Sequence, residues 1–239
     1  MSRDAIKYIA MLTMLLNHIA GIFMETGTLL GEVFTDIGYF TAITMCYFLV
    51  EGYGYTKSKK KYGERLLVFA AVSELPYCLA FSGKEYISFT GMNMIFTLFL
   101  CFLIIRTMKE CINPAVRSFA ITGLIILSLF SDWAIMAPVF TILFVNAGKN
   151  HAKIRNAFLT GTLVFGGFNL LGALGRFDLS TTVLYTLGSM VGPAVAGCCI
   201  CCFYNGKKAQ NHRRFSKWFF YWFYPVHLLI LGIVRIAML

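Results

Sequence analysis

Charged residues are scarce in this sequence: they make up 13% of its 239 residues, against roughly 25% in a typical soluble domain. Hydrophobic residues make up 58%, and no polar stretch is long enough to form a soluble domain of about 50 residues. These shortages exclude a soluble globular protein. Because apolar runs of membrane-spanning length recur along the chain, we predict an all-α, polytopic integral membrane helical bundle, with residues 1–239 as a single integral membrane domain.

Acidic residues are scarcer than basic ones, with 11 Asp and Glu against 21 Lys and Arg, and the net charge is +10. Such an excess can indicate a nucleic-acid partner, but here the cations fall in short loops between apolar runs rather than on one continuous face. We therefore expect a lipid bilayer around the protein and no nucleic acid. The apolar runs predict about nine transmembrane helices, near residues 5–24, 36–55, 65–82, 92–106, 117–130, 133–147, 156–174, 180–203 and 218–238.

The placement of the basic residues predicts the orientation of the chain. If the N-terminus is cytoplasmic, 18 of the 21 Lys and Arg residues lie in cytoplasmic segments, and the exceptions are Lys84, Arg176 and Arg235. Basic residues favour the cytoplasmic side of a membrane. This bias predicts a cytoplasmic N-terminus and a C-terminus outside.

Two alternatives affect the number of crossings. The fifth and sixth spans could form one helix over 117–146, which would reverse every later loop; a turn at Ser131 and Asp132 keeps the charge pattern intact, so we predict two short helices. The first span could be a signal peptide, but Asn17 and His18 interrupt its apolar region. We expect a permanent helix there.

Small residues near the end of the chain fall into two groups. The pattern GSMVG at 188–192 is typical of close packing between membrane helices, and we assign it no chemistry. The run CCICC at 198–202 could be palmitoylated or bind a soft metal, but a metal site normally adds a second ligand cluster. We favour cysteine as a small apolar residue in a reduced compartment, with no disulfides and no metal.

Polar residues inside the spans are the informative ones, because an ionisable side chain in hydrocarbon usually faces a partner or a water-filled cavity. On an ideal helix Lys7 and His18 share a face, separated by roughly 16 Å of rise. We call this face the His18 stripe, and we expect it to point into the bundle. A cation at its cytoplasmic edge suits a phosphate, and an imidazole halfway across suits a general base. The stripe contains Asp4, Lys7, Met11, Met14, His18, Gly21 and Glu25.

Further polar groups could complete such a site. Glu51 lies in a polar stripe of the second span that ends at Tyr55, and Glu74 lies at mid-depth of the third span, where we expect it to pair with a cation from another helix. The loop KSKKKYGER at 57–65 is basic enough to hold phosphates, although topology and anionic lipids also explain it. Asn93, Asp132 and His227 are the remaining polar candidates.

Five segments, spread in order over nearly the whole chain, resemble the TraX family of membrane proteins. They are KYIAMLTMLLNHIAG, EGYGYTKSKKKYGERLLVFAAVSELPYCLAF, Asn93-x-x-x-Thr97-Leu98, the Ser131-Asp132 turn and the terminal YPVHLLIL. The family is linked to N-terminal acetylation of conjugative pilin and is similar to a wider group of transmembrane acyltransferases. In that group a basic residue, ten residues and a histidine form a signature, which maps to Lys7 and His18. One departure is Asn17, where the family pattern has aspartate.

The resemblance implies transfer of an acetyl or similar group from cytosolic acetyl-CoA to an acceptor, in a multi-pass protein of the bacterial cytoplasmic (inner) membrane. The acceptor could be a peptide, a glycan or a lipid. The rival hypotheses are a small proton-coupled transporter and a noncatalytic assembly factor that holds a membrane peptide. We assign His18, Glu51 and Glu74 as catalytic, Lys7, Tyr55, Lys61 and Arg65 as cofactor-binding, and Asn93, Asp132 and His227 as substrate-binding.

Overall fold

Helices make up almost all of the described chain. The structure is a computed structural model that describes residues 1–83, 88–207 and 213–238, so Lys84 and residues 208–212 of the basic segment before the last helix lie outside it. Within the described ranges no β-strand occurs. The helices are α1 (Arg3–Phe23), α2 (Leu29–Tyr55), α3 (Lys59–Phe81), α4 (Met94–Glu110), α5 (Pro114–Ser128), α6 (Met136–Ala147), α7 (His151–Ala173), α8 (Leu179–Cys198), continued by a π-helical turn (Cys199–Phe203), and α9 (Arg213–Ala237).

Each of the nine predicted spans corresponds to one helix, and the all-α prediction is confirmed. The turn predicted at Ser131 and Asp132 does separate two short helices, α5 and α6. By length and apolar composition four segments could cross a membrane: Arg3–Phe23, Leu29–Tyr55, Leu179–Phe203 and Trp218–Ala237. Helices α4, α5 and α6 have 17, 15 and 12 residues, fewer than the roughly 20 needed to span a bilayer. Nine crossings and the orientation of the termini therefore stay predictions.

Side-chain caps fix where many helices begin. Each capping residue has an extended backbone, and its side-chain oxygen accepts a hydrogen bond from a backbone N–H in the first turn, which otherwise has no partner. The second helix begins at Leu29 rather than near 36, because Gly27, at a φ of 88°, turns the chain and its N–H donates to the Glu32 carboxylate at 2.9 Å. The capping residues are Ser2, Ser58, Asn93, Asn113, Asn150 and Asp178.

The described residues form two compact units. The first comprises Met1–Met45 and Ala147–Ser216, and the second comprises Cys46–Asn146 and Lys217–Leu239. These units are defined by packing within one chain. That residues 1–239 form a single integral membrane domain stays a prediction.

Glycines allow close helix packing in the first unit. A Cβ added at Gly188 would lie 2.3 Å from a carboxylate oxygen of Asp36, and one at Gly192 would lie 2.5 Å from the carbonyl oxygen of Asp36 and 2.7 Å from the backbone nitrogen of Phe40. The backbones of α2 and α8 therefore meet at the GSMVG pattern. The predicted packing role of this pattern is confirmed.

The second unit is built around α3, α4 and α9. The rings of Phe69 and Tyr221 stack with centroids 4.8 Å apart, and a Cβ at Gly232 would lie 2.9 Å from the Leu79 side chain. Farther along α9, Arg235 Nε donates to the carbonyl oxygen of Leu79 at 3.3 Å. These contacts hold the last helix against α3.

The glycine contact yields the first prediction. Gly192→Ala should lower the thermal melting temperature in detergent, because the new methyl group meets backbone atoms that cannot rotate away; overpacking of this kind costs about 1–3 kcal/mol. Gly167→Ala, also in a helix but with nothing within 4 Å of the added Cβ, is the matched control and should be neutral or slightly stabilising. Equal melting temperatures for the two variants would contradict the packing role.

Candidate functional site

The His18 stripe lies inside the protein over most of its predicted length. Asp4, Met11 and His18 are 7%, 3% and 7% exposed, and Lys7 is partly buried. The prediction that the stripe continues to Glu25 is wrong, since α1 ends at Phe23 and Met24 is extended. A buried imidazole therefore lies at mid-helix, about three turns from a lysine.

The rotation of α1 is fixed by its contacts with α2 in the first unit. Thr13 and Thr41 share a hydrogen bond of 3.0 Å between their hydroxyls, and Thr41 also donates to the carbonyl oxygen of Ala10 at 2.7 Å. One turn farther, Asn17 Nδ2 donates to the carbonyl oxygen of Thr35 at 3.0 Å. Because Asn17 precedes His18, the same contacts set the direction of the imidazole.

In the second unit the Glu74 carboxylate binds the start of α4. Its Oε2 accepts from the backbone N–H of Asn93 at 3.2 Å and from the Asn93 side-chain amide at 2.6 Å. The expected pairing of Glu74 with a cation is wrong for the described residues. Its partners are instead donors at a helix N-terminus, where the helix dipole favours a negative charge.

Asn93 links α3 to α4 and is fully buried. Its amide nitrogen also donates to the carbonyl oxygen of Ala70 in α3 at 2.8 Å. Its side-chain oxygen caps α4 by accepting from the backbone nitrogens of Ile95 and Phe96. Every polar atom of this side chain is therefore used within the protein.

The turn that carries Asp132 is held to the same helix end. Its backbone N–H donates to the carbonyl oxygen of Met92 at 2.8 Å, and its carbonyl oxygen accepts from the Thr97 hydroxyl at 2.5 Å. Trp133 and Ile135 adopt positive φ values of 57° and 62°, which cost about 1–3 kcal/mol each outside glycine. The strained turn persists because these hydrogen bonds fix it.

Two tyrosines adjoin these carboxylates, and a histidine adjoins one of the tyrosines. Tyr77 and Tyr224 both lie within electrostatic range of Glu74 and Asp132, and the Tyr224 hydroxyl accepts from the backbone N–H of Met94 at 3.2 Å. The ring of His227 meets that of Tyr224 edge-on at 5.7 Å. We call this set the Glu74 cluster: Glu74, Tyr77, Asn93, Thr97, Ser131, Asp132, Tyr224 and His227.

One ring nitrogen of His227 is bonded to the backbone. Its Nδ1 lies 2.7 Å from the carbonyl oxygen of Phe223, and since a carbonyl oxygen can only accept, Nδ1 is the donor in that pair. The ring is 6% exposed and stacks on Phe223 at 4.8 Å. The backbone thus satisfies one nitrogen, as a structural role would require.

The remaining predicted residues differ in their surroundings. Glu51 is partly buried, whereas Tyr55 is 57% exposed and Lys61 is exposed. The guanidinium of Arg65 lies 5.8 Å from the ring centroid of Tyr62.

Sequence reasoning missed the place of Tyr77 in the cluster, although its position three residues after Glu74 puts both on one side of α3. All eight cysteines are free thiols. Among the described residues no three His, Cys, Asp or Glu side chains are grouped so that they could hold a metal ion.

Comparison with known proteins identifies the family. The model of the family described as TraX protein matches residues 2–235, and the chain belongs to this family. A Dichelobacter nodosus protein named "Probable fimbrial assembly protein FimC, serogroup H1" is 29% identical over 236 residues, which cover 95% of this chain and 92% of that protein. No solved structure matches the chain.

The capping role of Asn93 can be separated from its role in the cluster. Asn93→Ala and Asn113→Ala each remove a cap that accepts two backbone N–H bonds, which costs about 0.5–2 kcal/mol. Asn93→Ala also leaves Glu74 Oε2 and the Ala70 carbonyl without the side-chain amide donor, so we expect it to cost at least about 1 kcal/mol more. Urea or thermal unfolding measures both variants, and equal losses would show that Asn93 is only a cap.

Burial of Asp132 predicts a pH dependence of stability. Burial raises its pKa to about 6, so the folded state keeps a proton that the unfolded state releases, and this contribution to stability falls as pH rises from about 4 to about 6. The melting temperature of Asp132→Asn, measured relative to that of the parent, should therefore rise as the pH increases from 4.5 to 7.

Asp178 is the control of opposite sign. The Ser180 hydroxyl and the Thr181 hydroxyl and backbone N–H lower the pKa of this exposed carboxyl, so its contribution to stability is lost as pH falls rather than as it rises. The melting temperature of Asp178→Asn should show no gain relative to the parent above pH 5. A flat difference between Asp132→Asn and the parent over this range would contradict the burial of Asp132.

Proposed function

We propose that this protein is a membrane-embedded acyltransferase that moves an acetyl or similar group from cytosolic acyl-CoA to an amine or hydroxyl acceptor. The burial of the His18 imidazole on the same helical stripe as Lys7 is the observation that carries the proposal. A titratable side chain held in the interior of an apolar helix marks a functional site by default. Membership of the TraX family supports the same reading.

His18 acts as the general base in this proposal. A neutral imidazole takes the proton from the acceptor nitrogen or oxygen as that atom bonds to the thioester carbonyl carbon. The carbon–sulfur bond then breaks, and the proton passes to the departing thiolate, so that free CoA and an amide or ester are formed. No covalent intermediate with the protein is required.

Lys7, Tyr55, Lys61 and Arg65 are assigned to the donor, whose phosphates attract cations. We assign Asp132 and His227 to binding the acceptor. Glu74 and Asn93 are assigned to positioning, since they are bonded to each other at the start of α4, and Glu51 is assigned as the second carboxylate of the reaction. The protein lies in the bacterial cytoplasmic membrane, with the N-terminus inside.

The acceptor belongs to a fimbrial or pilus-like assembly. This part rests on the name of the Dichelobacter relative, and the same name favours a second candidate, a noncatalytic factor that holds a membrane peptide during assembly. The two candidates differ in one measurable property, because only the acyltransferase binds acyl-CoA.

The test uses purified protein in detergent. Acetyl-CoA should raise the melting temperature by mass action, and release of free CoA should require an acceptor from the cell envelope. His18→Ala should keep donor binding and lose about 10²–10⁴-fold in transfer rate, whereas His151→Ala, an exposed histidine at the start of α7, should transfer at the parent rate.

Two outcomes would overturn this assignment. If His18→Ala transfers the acyl group at the parent rate, His18 is not the general base. Absence of any shift with acetyl-CoA would favour the noncatalytic assembly factor.

A further inference from the structure

At the end of α2 a buried tyrosine ring is in contact with two lysines. Tyr53 is 3% exposed, and its hydroxyl donates to Glu110 Oε1 at 2.7 Å. The ammonium of Lys59 lies 4.4 Å from the ring centroid and that of Lys109 lies 5.4 Å from it. A cation at this distance is attracted to the ring, but its charge is not neutralised.

The carboxylate at this place is already engaged. Glu110 Oε2 accepts from Arg106 Nε at 2.8 Å, while its other oxygen accepts from Tyr53. Lys59 donates to the carbonyl oxygens of Tyr53 and Thr56, which ties it to the end of α2. The Tyr53 ring and the Glu110 carboxylate together contact three cations, Lys59, Arg106 and Lys109, so the group carries excess positive charge.

Lys109 is the cation with the fewest contacts. In the described part of the chain its ammonium contacts the ring of Tyr53 but makes no hydrogen bond and no ion pair with a carboxylate. Lys60, by contrast, pairs with Glu64 at 4.0 Å. An ammonium has three donors and favours anionic oxygen acceptors. The side chain is exposed, so a ligand can reach it.

Arg65 supplies a second, independent indication of a ligand. Its Nε is buried and has no hydrogen-bond partner among the described residues. Its guanidinium lies over the Tyr62 ring, which meets the Phe102 ring at 5.5 Å, and the Tyr53 ring meets Phe102 at the same distance. A buried N–H without an acceptor is costly, and an anionic oxygen would remove the cost.

We propose that Lys59, Arg65 and Lys109, arranged around the rings of Tyr53, Tyr62 and Phe102, bind phosphate groups. This inference rests on the proposed function, in which the phosphates belong to the nucleotide half of acyl-CoA. It adds Lys59 and Lys109 to Arg65 as the principal donor contacts, because both ammonium groups lie against the Tyr53 ring. Anionic lipid headgroups carry the same chemistry and are the competing source.

The probe is adenosine 3′,5′-bisphosphate, which has the 3′-phosphate and the first 5′-phosphate of the donor but no thioester. The full-length protein in neutral detergent should bind it, and Lys109→Ala should weaken binding about 10-fold through loss of one charge-assisted hydrogen bond. Arg65→Ala should weaken it similarly. Lys60→Ala, an exposed lysine on the neighbouring turn, should bind like the parent.

A second arm adds phosphatidylglycerol to the micelles. Binding of phosphatidylglycerol should not depend on Lys109. If Lys109→Ala weakens binding of phosphatidylglycerol but not of the bisphosphate, the proposal is wrong. Equal weakening of nucleotide binding by Lys60→Ala and Lys109→Ala would also overturn it, since it would show general attraction to a basic surface. Circular dichroism and the melting temperature check that each variant is folded.

The outcome separates this inference from the proposed function. If Lys109→Ala and Arg65→Ala bind acetyl-CoA as the parent does, the acyltransferase proposal stands and the proposed phosphate site is wrong. If the protein binds the bisphosphate but transfers no acyl group under any condition, the phosphate site stands and the acyltransferase proposal is wrong.

Discussion

The contact between the Glu74 carboxylate and Asn93, at 2.6 Å to its side-chain amide, organises the second unit. In an apolar interior a carboxylate must find donors within the protein, and α4 supplies them at its first turn. Asn93 in turn satisfies α3 through the carbonyl oxygen of Ala70. The turn at Asp132 then attaches to the same helix through Met92 and Thr97, so three chain segments meet at the start of α4.

Much of the fold could be predicted from the sequence, because lipid imposes a simple rule on each segment separately. A helix satisfies its own backbone in hydrocarbon, so apolar runs predicted the nine helices of the described ranges, and the GSMVG pattern predicted a close approach before its partner was known. The end of α1 could not be predicted as well. Glu25 continues the helical spacing of the His18 stripe, and only the extended Met24 ends it.

The site was less predictable, since its contacts join residues far apart in sequence. Spacing along α1 correctly predicted the buried face of His18, which is a property of one helix. The partner of Glu74 is a property of two helices, and charge alone favoured a cation over the amide that is present. The lysines beside Tyr53 were likewise hidden, because a basic loop is expected there from topology whether or not it binds a ligand.

Asn17 shows how a departure from a family pattern can be explained by packing. Its amide donates to the carbonyl oxygen of Thr35, and a Cβ at Gly38 would lie 2.2 Å from the Asn17 side chain, so α1 and α2 are in close contact here. An ionised aspartate in the same place would direct a negative charge at that carbonyl oxygen and would lack a hydrogen to donate. Asparagine therefore keeps the helix contact next to His18 at any protonation state of the site. The departure at position 17 is therefore explained by the contact between α1 and α2, which an amide can make and an ionised carboxylate cannot.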